Sequence, residues 1–349
     1  MIGVVFRALV LAALASFASL TWLGHAFAAD PSTAPGTPAP AGIAVDGEGN
    51  VYVSDYALDR LVKFAPDGTV LGQWGGTGNA LGQFNSPFGV AIDANNTLFV
   101  VDQLNNRVQR FATDGTVLSA WGTAGAGAGD LRTPFGVAVS AGRVYVADFG
   151  NDRVQVFGQD GSLLSMLGGR GSGDGQFQRP AGVAVGSDGA LYVTDHFNDR
   201  VQRFSGDGRF QAQIGVSLLT TFTATPTVVA SAVPTPSVTV TPTATASAVS
   251  SDAQLRRPEG IVVDRDGDLW VADYGHDRVV KLSADGRLLL SGGSRGSAPG
   301  EFLGPKGVAI DPSTGRVYVA DTGNARVQRL APDGTPEASW AMPPLQSGS

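Results

Sequence analysis

Short apolar runs recur along the chain and are separated by turn-forming residues, a pattern that predicts β-strands. In six places an apolar run follows a Pro-x-Gly opening, and a second run ending in aspartate comes next. An arginine then begins a third run, and an Asp-Gly turn leads to a fourth. Each unit therefore predicts four short antiparallel strands, here a to d in chain order, joined by tight turns.

The repeated aspartates show how the units are spaced. They are Asp55, Asp102, Asp148, Asp195, Asp273 and Asp321. Successive members lie 47, 46, 47, 78 and 48 residues apart, so one interval carries an insert of about 31 residues. One such sheet cannot bury both of its faces, whereas six stacked around an axis can. The sequence predicts an all-β, six-bladed β-propeller with four antiparallel strands per blade.

The repeat also sets the expected domain boundaries. A signal peptide is predicted at 1–28 and a Pro/Thr-rich linker at 29–39, before a propeller at 40–341 and a C-terminal tail at 342–349. The predicted blades are 40–80, 81–130, 131–175, 176–215, 252–300 and 301–341. Repeated Thr-Pro without charge predicts a disordered insert at 216–250, either inert or a tether and a target for O-glycosylation.

Residue size along each unit indicates which strands are innermost. Alanine stands at the centre of strand a in five copies, as crowding at a central channel requires. Trp74, Trp121 and Trp340 fall on the outermost strands, where a wedge is widest. The first copy begins at its inner strand and the last ends at its outer one. We therefore expect the ring to close by packing between the first and last blades. The alternative is that the linker adds a strand at this junction.

These motifs resemble a known repeat. Pro-x-Gly-(Val/Ile)-Ala-Val, then Tyr-Val-x-Asp, then Asn-x-Arg-Val-Gln is similar to the NHL repeat of secreted bacterial-type proteins and covers nearly all of the chain after residue 28. The resemblance implies a six-bladed propeller used for interaction. Peptidyl-hydroxyglycine lyase domains are similar too, but depend on a zinc-histidine centre and disulfides. Here there is no cysteine, and only His196 and His276 follow the signal peptide.

The N-terminal segment and the net charge predict where the protein is located and which classes of partner are unfavourable. Arg7 precedes an uncharged apolar run at 8–23, and Ala26 and Ala28 are small residues suited to cleavage after position 28. This predicts a secreted or extracytoplasmic protein; the alternative is an uncleaved membrane anchor, although the run is shorter than the ~20 residues of a span. No later segment predicts a span. A net charge of -7 disfavours nucleic-acid binding, and we expect a monomer.

Residues repeated in every blade are interpreted as structural. Each repeated aspartate is followed by an arginine that can cap the b–c turn; a charged ring at the channel mouth is the alternative. These arginines are Arg60, Arg107, Arg153, Arg200, Arg278 and Arg326. Alternation of strand direction places the b–c and d–a connections on one face, and these are the longer, more variable ones.

Positions at which the copies differ are the candidate ligand-binding residues. They give this face an aromatic half and a charged half, and aromatic residues and arginine supply most contact energy in interfaces; neutral drift of surface loops is the alternative. The candidates are Tyr56, Phe88, Phe135, Phe149, Arg179, His196, Arg257, Glu259, Tyr274 and Lys306.

The sequence predicts no cofactor, no metal and no catalytic residue. Two histidines completed by Asp195, Asp273 or Asp277 could hold zinc, but they belong to different blades. The acidic segment 264–268 superficially resembles a calcium loop and occupies the position of a hairpin turn. We therefore expect an extracytoplasmic scaffold that recognises a protein, peptide or glycan through the b–c and d–a face. The alternative is a lyase or hydrolase acting at the channel mouth, with or without a metal.

Overall fold

A computed structural model describes residues 36–215 and 253–345, which form six four-stranded antiparallel sheets. Within each sheet the strands are neighbours in chain order, so every blade is one contiguous stretch of chain. The predicted six-bladed all-β propeller is confirmed. The predicted signal peptide, most of the predicted linker, the predicted insert at 216–250 and residues 346–349 lie outside the described residues. No helix within the described ranges is long and apolar enough to cross a bilayer.

The strand bounds follow the predicted units. Blades one to three contain β1 (Pro40–Val45), β2 (Val51–Asp55), β3 (Arg60–Phe64), β4 (Val70–Gly75), β5 (Pro87–Ile92), β6 (Thr97–Asp102), β7 (Arg107–Ala112), β8 (Val117–Trp121), β9 (Val137–Ser140), β10 (Arg143–Asp148), β11 (Arg153–Gly158) and β12 (Leu163–Gly168). Blades four to six contain β13 (Pro180–Val185), β14 (Leu191–Asp195), β15 (Arg200–Phe204), β16 (Phe210–Ile214), β17 (Pro258–Val263), β18 (Leu269–Asp273), β19 (Arg278–Leu282), β20 (Leu288–Gly292), β21 (Pro305–Ile310), β22 (Val317–Asp321), β23 (Arg326–Leu330) and β24 (Pro336–Ala341). Short 3-10 turns follow four of the second strands, at Phe149–Asn151, His196–Asn198, Tyr274–His276 and Thr322–Asn324.

The inner strands meet at a ring of glycines. The glycine of each Pro-x-Gly lies so close to the next blade that a Cβ on it would collide with the carbonyl oxygen of that blade's x residue. At Gly89 this built Cβ would lie 2.6 Å from the Phe135 oxygen, to which the Gly89 N–H donates at 2.9 Å. The contact recurs at all six junctions, including Gly307 with Ala41 between the last and first blades. Only a residue without a side chain allows this approach.

Hydrophobic side chains fill each gap between neighbouring blades, giving six core clusters. Each cluster includes one buried residue from the connection that leads out of strand d. These residues are Phe84, Leu131, Phe177, Leu255, Phe302 and Met342. The predicted tryptophans lie on the outermost strands β4, β8 and β24. The core is thus a ring of six inter-blade layers.

The ring closes by packing and hydrogen bonds, without strand exchange among the described residues. Trp340 of β24 stacks on Phe64 of β3, with ring centroids 6.0 Å apart. The Thr322 hydroxyl donates to the Pro40 carbonyl at 2.7 Å. Arg60 donates to the carbonyls of Pro343 and Pro344, which take the place of a d–a connection. Residues from the predicted tail therefore complete the seam.

The repeated aspartate and arginine organise the b–c turns, as the third blade shows. The buried Asp148 carboxylate accepts from Arg153 Nε at 2.7 Å, from the Arg132 backbone N–H at 2.8 Å and from Gln155 Nε2 at 3.0 Å. The far end of the Arg153 guanidinium donates to carbonyls of the preceding d–a connection, including that of Asp130 at 2.8 Å. Equivalent Asp–Arg pairs occur in every blade. The b–c and d–a connections form one face of the propeller, here called the loop face. The Asp–Arg pairs connect these segments within and between blades.

Burial has an electrostatic cost at three of these aspartates. Removal from water raises the pKa of the Asp55, Asp102 and Asp195 carboxyls, although backbone N–H groups and the arginines oppose the shift. The arginines are therefore needed to keep buried carboxylates compensated.

We expect Gly89→Ala to destabilise the propeller, because the new methyl group would press against the backbone of blade three. Overpacking of this kind costs roughly 1–3 kcal/mol. Gly47→Ala is the matched control, since a Cβ there meets nothing within 4 Å. Urea unfolding of both variants measures the effect; equal midpoints would contradict the proposed role of the glycine ring.

We expect Arg153→Ala to lower the free energy of unfolding by about 3 kcal/mol, because it leaves Asp148 buried without its charged partner. Arg257→Ala, on an exposed loop residue, should change stability by less than about 0.5 kcal/mol. Denaturant unfolding of the two variants checks the order. The reverse order would show that the repeated arginines are not the structural ones.

Candidate functional site

Strand register brings the variable positions to one mouth of the channel. In five blades the proline that opens strand a pairs directly with the aspartate that ends strand b, as Pro40 does with Asp55. The residue after the proline and the residue after the aspartate therefore lie side by side at the same end of the blade. All ten candidate positions belong to this face or its rim.

Aromatic rings form a continuous row around part of this mouth. Centroid distances are 5.7 Å for Tyr56–Phe88, 3.8 Å for Phe88–Phe135, 5.0 Å for Phe135–Phe149, 6.1 Å for Phe149–His196 and 6.4 Å for His196–Tyr274. Phe88, Phe135 and Phe149 pack with Ala41 and Ala181 as a separate core cluster. The row thus unites the predicted aromatic residues, and its central rings are buried.

The mouth is consequently narrow. A cavity of about 50 Å³ remains between the x residues of the six blades, among them Phe88, Phe135, Glu259 and Lys306. Small-molecule sites usually have ~300–1,000 Å³. The axial cavity has room for water and not for an organic ligand, which would have to lie above it.

A buried ion pair stands opposite the phenylalanines. Lys306 Nζ lies 3.1 Å and 3.3 Å from the two carboxylate oxygens of Glu259 and 4.4 Å from the ring centroid of Tyr274. Burial alone lowers the pKa of Lys306, but the negative charge of Glu259 and coulombic interaction with the phenol groups of Tyr274 and Tyr56 outweigh it, so the pKa is raised. Lys306 is therefore a cation held by its partner.

His196 is the most perturbed group at the mouth. Burial, followed by the positive charges of Lys306 and Arg257, lowers the pKa of His196 to about 3 against a backbone hydrogen bond at Pro258. Its Nδ1 has no hydrogen-bond partner among the described residues. At neutral pH the imidazole is therefore uncharged, and its unpartnered Nδ1 is buried.

The candidate arginines remain accessible and lie over aromatic rings. The Arg179 guanidinium is 5.3 Å from the centroid of Phe149, and that of Arg257 is 5.9 Å from the centroid of Phe197. Such cation–π contacts favour a defined side-chain position. Between blades five and six a second cavity of about 250 Å³ is bounded by Arg256, Arg257, Tyr274, Gly275, Asp277, Arg295, Leu303 and Gly304.

The second histidine belongs to the structural network. His276 Nδ1 lies 2.8 Å from the buried Asp273 carboxylate. In four other blades an asparagine side chain donates to the equivalent aspartate, namely Asn105, Asn151, Asn198 and Asn324. His276 takes the place of that asparagine.

The acidic segment 264–268 forms the a–b turn of blade five. Asp264, Asp266 and Asp268 place carboxylate oxygens within 4.8 Å of one another. Lys281 Nζ lies 2.8 Å from Asp264 and 3.2 Å from Asp268, so a side chain already supplies positive charge there. The backbone N–H groups of Asp266 and Asp268 both donate to Asp264, as expected of a turn.

Sequence reasoning missed one repeated contact between blades. The residue before the arginine of strand c has a positive φ, and in five blades its side-chain oxygen accepts the N–H of the residue before the next blade's proline. The acceptors are Asp59, Asn106, Asp152, Asp199 and Asp277. Asp or Asn at this place in five of six copies was the available signal. Arg295 was missed as well, because only the fold brings it near Arg257.

Comparison with known proteins agrees with this architecture. The NHL repeat family matches residues 131–157, 177–204, 255–282 and 302–330, in blades three to six. Peptidylglycine alpha-amidating monooxygenase of Rattus norvegicus is 39% identical over 89 residues, which cover 24% of this chain and 9% of that protein. Human (Homo sapiens) NHL repeat-containing protein 3 is 38% identical over 78 residues, 22% of each chain. The matches thus span less than a quarter of these relatives.

Solved structures share the fold at low identity. Virginiamycin B lyase from Staphylococcus aureus, in a complex with quinupristin, superposes with a TM-score of 0.55 and 15% identity, covering 88% of this chain and 86% of the lyase. A gluconolactonase from Xanthomonas campestris gives a TM-score of 0.56 and 17% identity, covering 83% and 85%. The class is a six-bladed β-propeller. Blades three to six of this propeller carry the matched NHL repeats.

The pKa of His196 predicts a measurable pH dependence. Because the pKa of His196 is about 3 in the folded protein and the ordinary pKa of histidine is 6.5, the unfolded chain binds more protons between these pH values. Above pH ~6.5 the uncharged His196 causes no loss of stability. On acidification below that pH, the free energy of unfolding falls by up to ~1.4 kcal/mol per pH unit. Phenylalanine is the residue at the equivalent position of the third blade. His196→Phe should therefore remove about 2–3 kcal/mol of the stability loss between pH 7 and pH ~4.5.

His276→Asn is the control, since it retains His196 and restores the residue of four other blades. Urea unfolding at several pH values measures both variants. If both retain the pH dependence of the parent protein, His196 is not the responsible group.

Proposed function

We propose that the chain is an extracytoplasmic binding propeller that recognises a protein, peptide or glycan through the b–c and d–a face. The observation that carries this proposal is the difference between the two faces. Leu81, Leu104 and Phe197 on the loop face are 63%, 45% and 43% exposed. Among the described residues, the a–b and c–d turns of the opposite face expose no large hydrophobic side chain.

The loops of this face are held in place, which favours recognition without a large ordering cost. The Asp199 carboxylate fixes the backbone of Arg257 at 2.7 Å, and Asp152 fixes that of Arg179 at 2.8 Å. The arginines repeated in the blades also donate hydrogen bonds to backbone carbonyl groups of the d–a connections. Exposed apolar side chains beside preorganised arginines have the composition of a protein or glycan contact surface.

The extracytoplasmic setting rests on the N-terminal pattern of Arg7, the apolar run and the small residues before position 29. The NHL repeats support an interaction role through the wide use of such propellers in binding.

The alternative function is that of a lyase or hydrolase at the channel mouth. His196 and the Lys306–Glu259 pair favour it, because perturbed titratable groups gather at active sites. The propeller lyase and gluconolactonase share only the fold at these identities. The narrow axial cavity argues for a ligand that rests on the face instead of entering the channel.

The test is a binding screen with residues 29–349 against peptide libraries and glycan arrays. Hits are compared between the parent, a Leu104→Ser/Phe197→Ser variant of the loop face and a Leu164→Ser/Leu289→Ser control on outer strands, where the side chains are 54% and 47% exposed. We expect at least tenfold weaker binding for the loop-face variant alone. Binding that survives in it, or product formation from a hit, would overturn the proposal.

A further inference from the structure

The cavity between blades five and six concentrates positive charge on an acidic protein. Three of its lining residues are arginines, Arg256, Arg257 and Arg295, while the whole chain has a net charge of -7. Among the described residues of the lining, Asp277 is the single carboxylate. Its Oδ2 lies 3.1 Å from Arg295, and its Oδ1 accepts the Gly304 N–H at 2.7 Å. The lining therefore keeps an excess of two positive charges.

Among the described residues, the guanidinium N–H groups of Arg256 and Arg257 donate no hydrogen bond. Within the described residues neither guanidinium forms an ion pair, in contrast to the six arginines of the structural network. Both side chains are exposed. A guanidinium offers a planar pair of donors that matches a carboxylate or a phosphate, and this geometry is what distinguishes it from a lysine.

Backbone contacts hold the two arginines in position. The Arg257 N–H donates to Asp199 at 2.7 Å, and the Arg256 carbonyl accepts the Gly275 N–H at 2.8 Å. The Arg256 side chain crosses Gly275 so closely that a Cβ there would lie 2.6 Å from its Cγ. The stem of Arg256 therefore rests on a glycine that leaves room for it.

The remaining walls suit an organic molecule. Tyr274 and Leu303 supply an aromatic and an aliphatic surface beside the arginines. A volume of about 250 Å³ is five times that of the axial cavity, at about 50 Å³. It can hold one acidic group together with the carbon atoms that bear it.

We propose that this cavity, lined by Arg256, Arg257, Arg295 and Tyr274, binds the oxyanion of an organic ligand, a carboxylate or a phosphate ester. The inference rests on the proposed binding function and adds the chemistry that the face selects. The arginines hold the oxyanion, while Tyr274 and Leu303 contact the adjoining carbon atoms.

Isothermal titration of residues 29–349 at low ionic strength tests the proposal. The probes are glutarate and phenyl phosphate, which separate the two sources of the oxyanion, with glutaramide as the uncharged analogue. We expect one or both anions to bind, glutaramide not to bind, and Arg256→Gln/Arg257→Gln to weaken binding at least tenfold. Glutamine keeps the Cβ and Cγ that rest on Gly275, and a thermal melt checks folding.

Arg209→Gln is the control for the loss of an exposed arginine, because Arg209 lies in a c–d turn on the opposite face and its side chain is 85% exposed; its change in charge equals that of Arg295→Gln. It should leave anion binding unchanged. If the double variant does not fold, Arg295→Gln, whose side chain is 75% exposed, replaces it and should also weaken binding. Failure of both anions to bind the parent, or equal losses in Arg209→Gln, would overturn the inference.

The two proposals fail separately. If face-dependent peptide or glycan hits are found but no anion binds, the binding function stands and the oxyanion site is wrong. If an anion binds through the arginines and no hit depends on the loop face, the site stands and the broader recognition function is wrong.

Discussion

The close approach of six inner strands at the glycine ring is the constraint on which the rest of the molecule depends. A side chain at any of these positions would collide with the next blade's carbonyl oxygen, so the radius of the ring is set by backbone contact. That radius brings neighbouring blades near enough to share one hydrophobic layer at each junction. The same convergence leaves an axial channel too narrow for an organic ligand. Any ligand is then confined to the outer surface of a face.

The polar network accounts for the use of one face and not the other. In every blade a buried aspartate that binds an arginine and a backbone N–H holds the b–c turn in place, and in four blades a side-chain amide binds the same carboxylate. Because these repeated residues do the structural work, positions beside them can vary at little cost to stability. His276 illustrates this tolerance, since it replaces an asparagine and still contacts Asp273. Arginines that are not part of the network, such as Arg257, are exposed on the same face.

Buried charges at the mouth are compensated, whereas the exposed Arg256 and Arg257 form no ion pair among the described residues. Glu259 neutralises Lys306 inside the mouth, and burial keeps His196 uncharged. The uncompensated arginines lie outward, between blades five and six. An anionic ligand there would meet positive charge on a protein whose overall charge is negative, so local arrangement and not net charge governs what this surface attracts.

Local sequence determined much of the architecture. Each blade carries its own strand pattern, its Asp-Gly turns and its Asp–Arg pair, so counting repeats predicted six blades and their inner and outer strands. These features depend on contacts within one repeat or between identical repeats. They can be read without knowing which blades are neighbours across the ring.

Contacts between unlike residues of different blades were decided by tertiary structure alone. Phe88 and Phe135 looked like part of an open recognition surface, yet convergence at the axis buries them against each other. Lys306 finds Glu259 from 47 positions away, and Met342 from the predicted tail fills the core at the seam. Arg295 and Arg257 share a cavity because the ring places their blades side by side. Sequence spacing specifies the repeat, whereas the radius and closure of the ring determine which of its variable side chains meet.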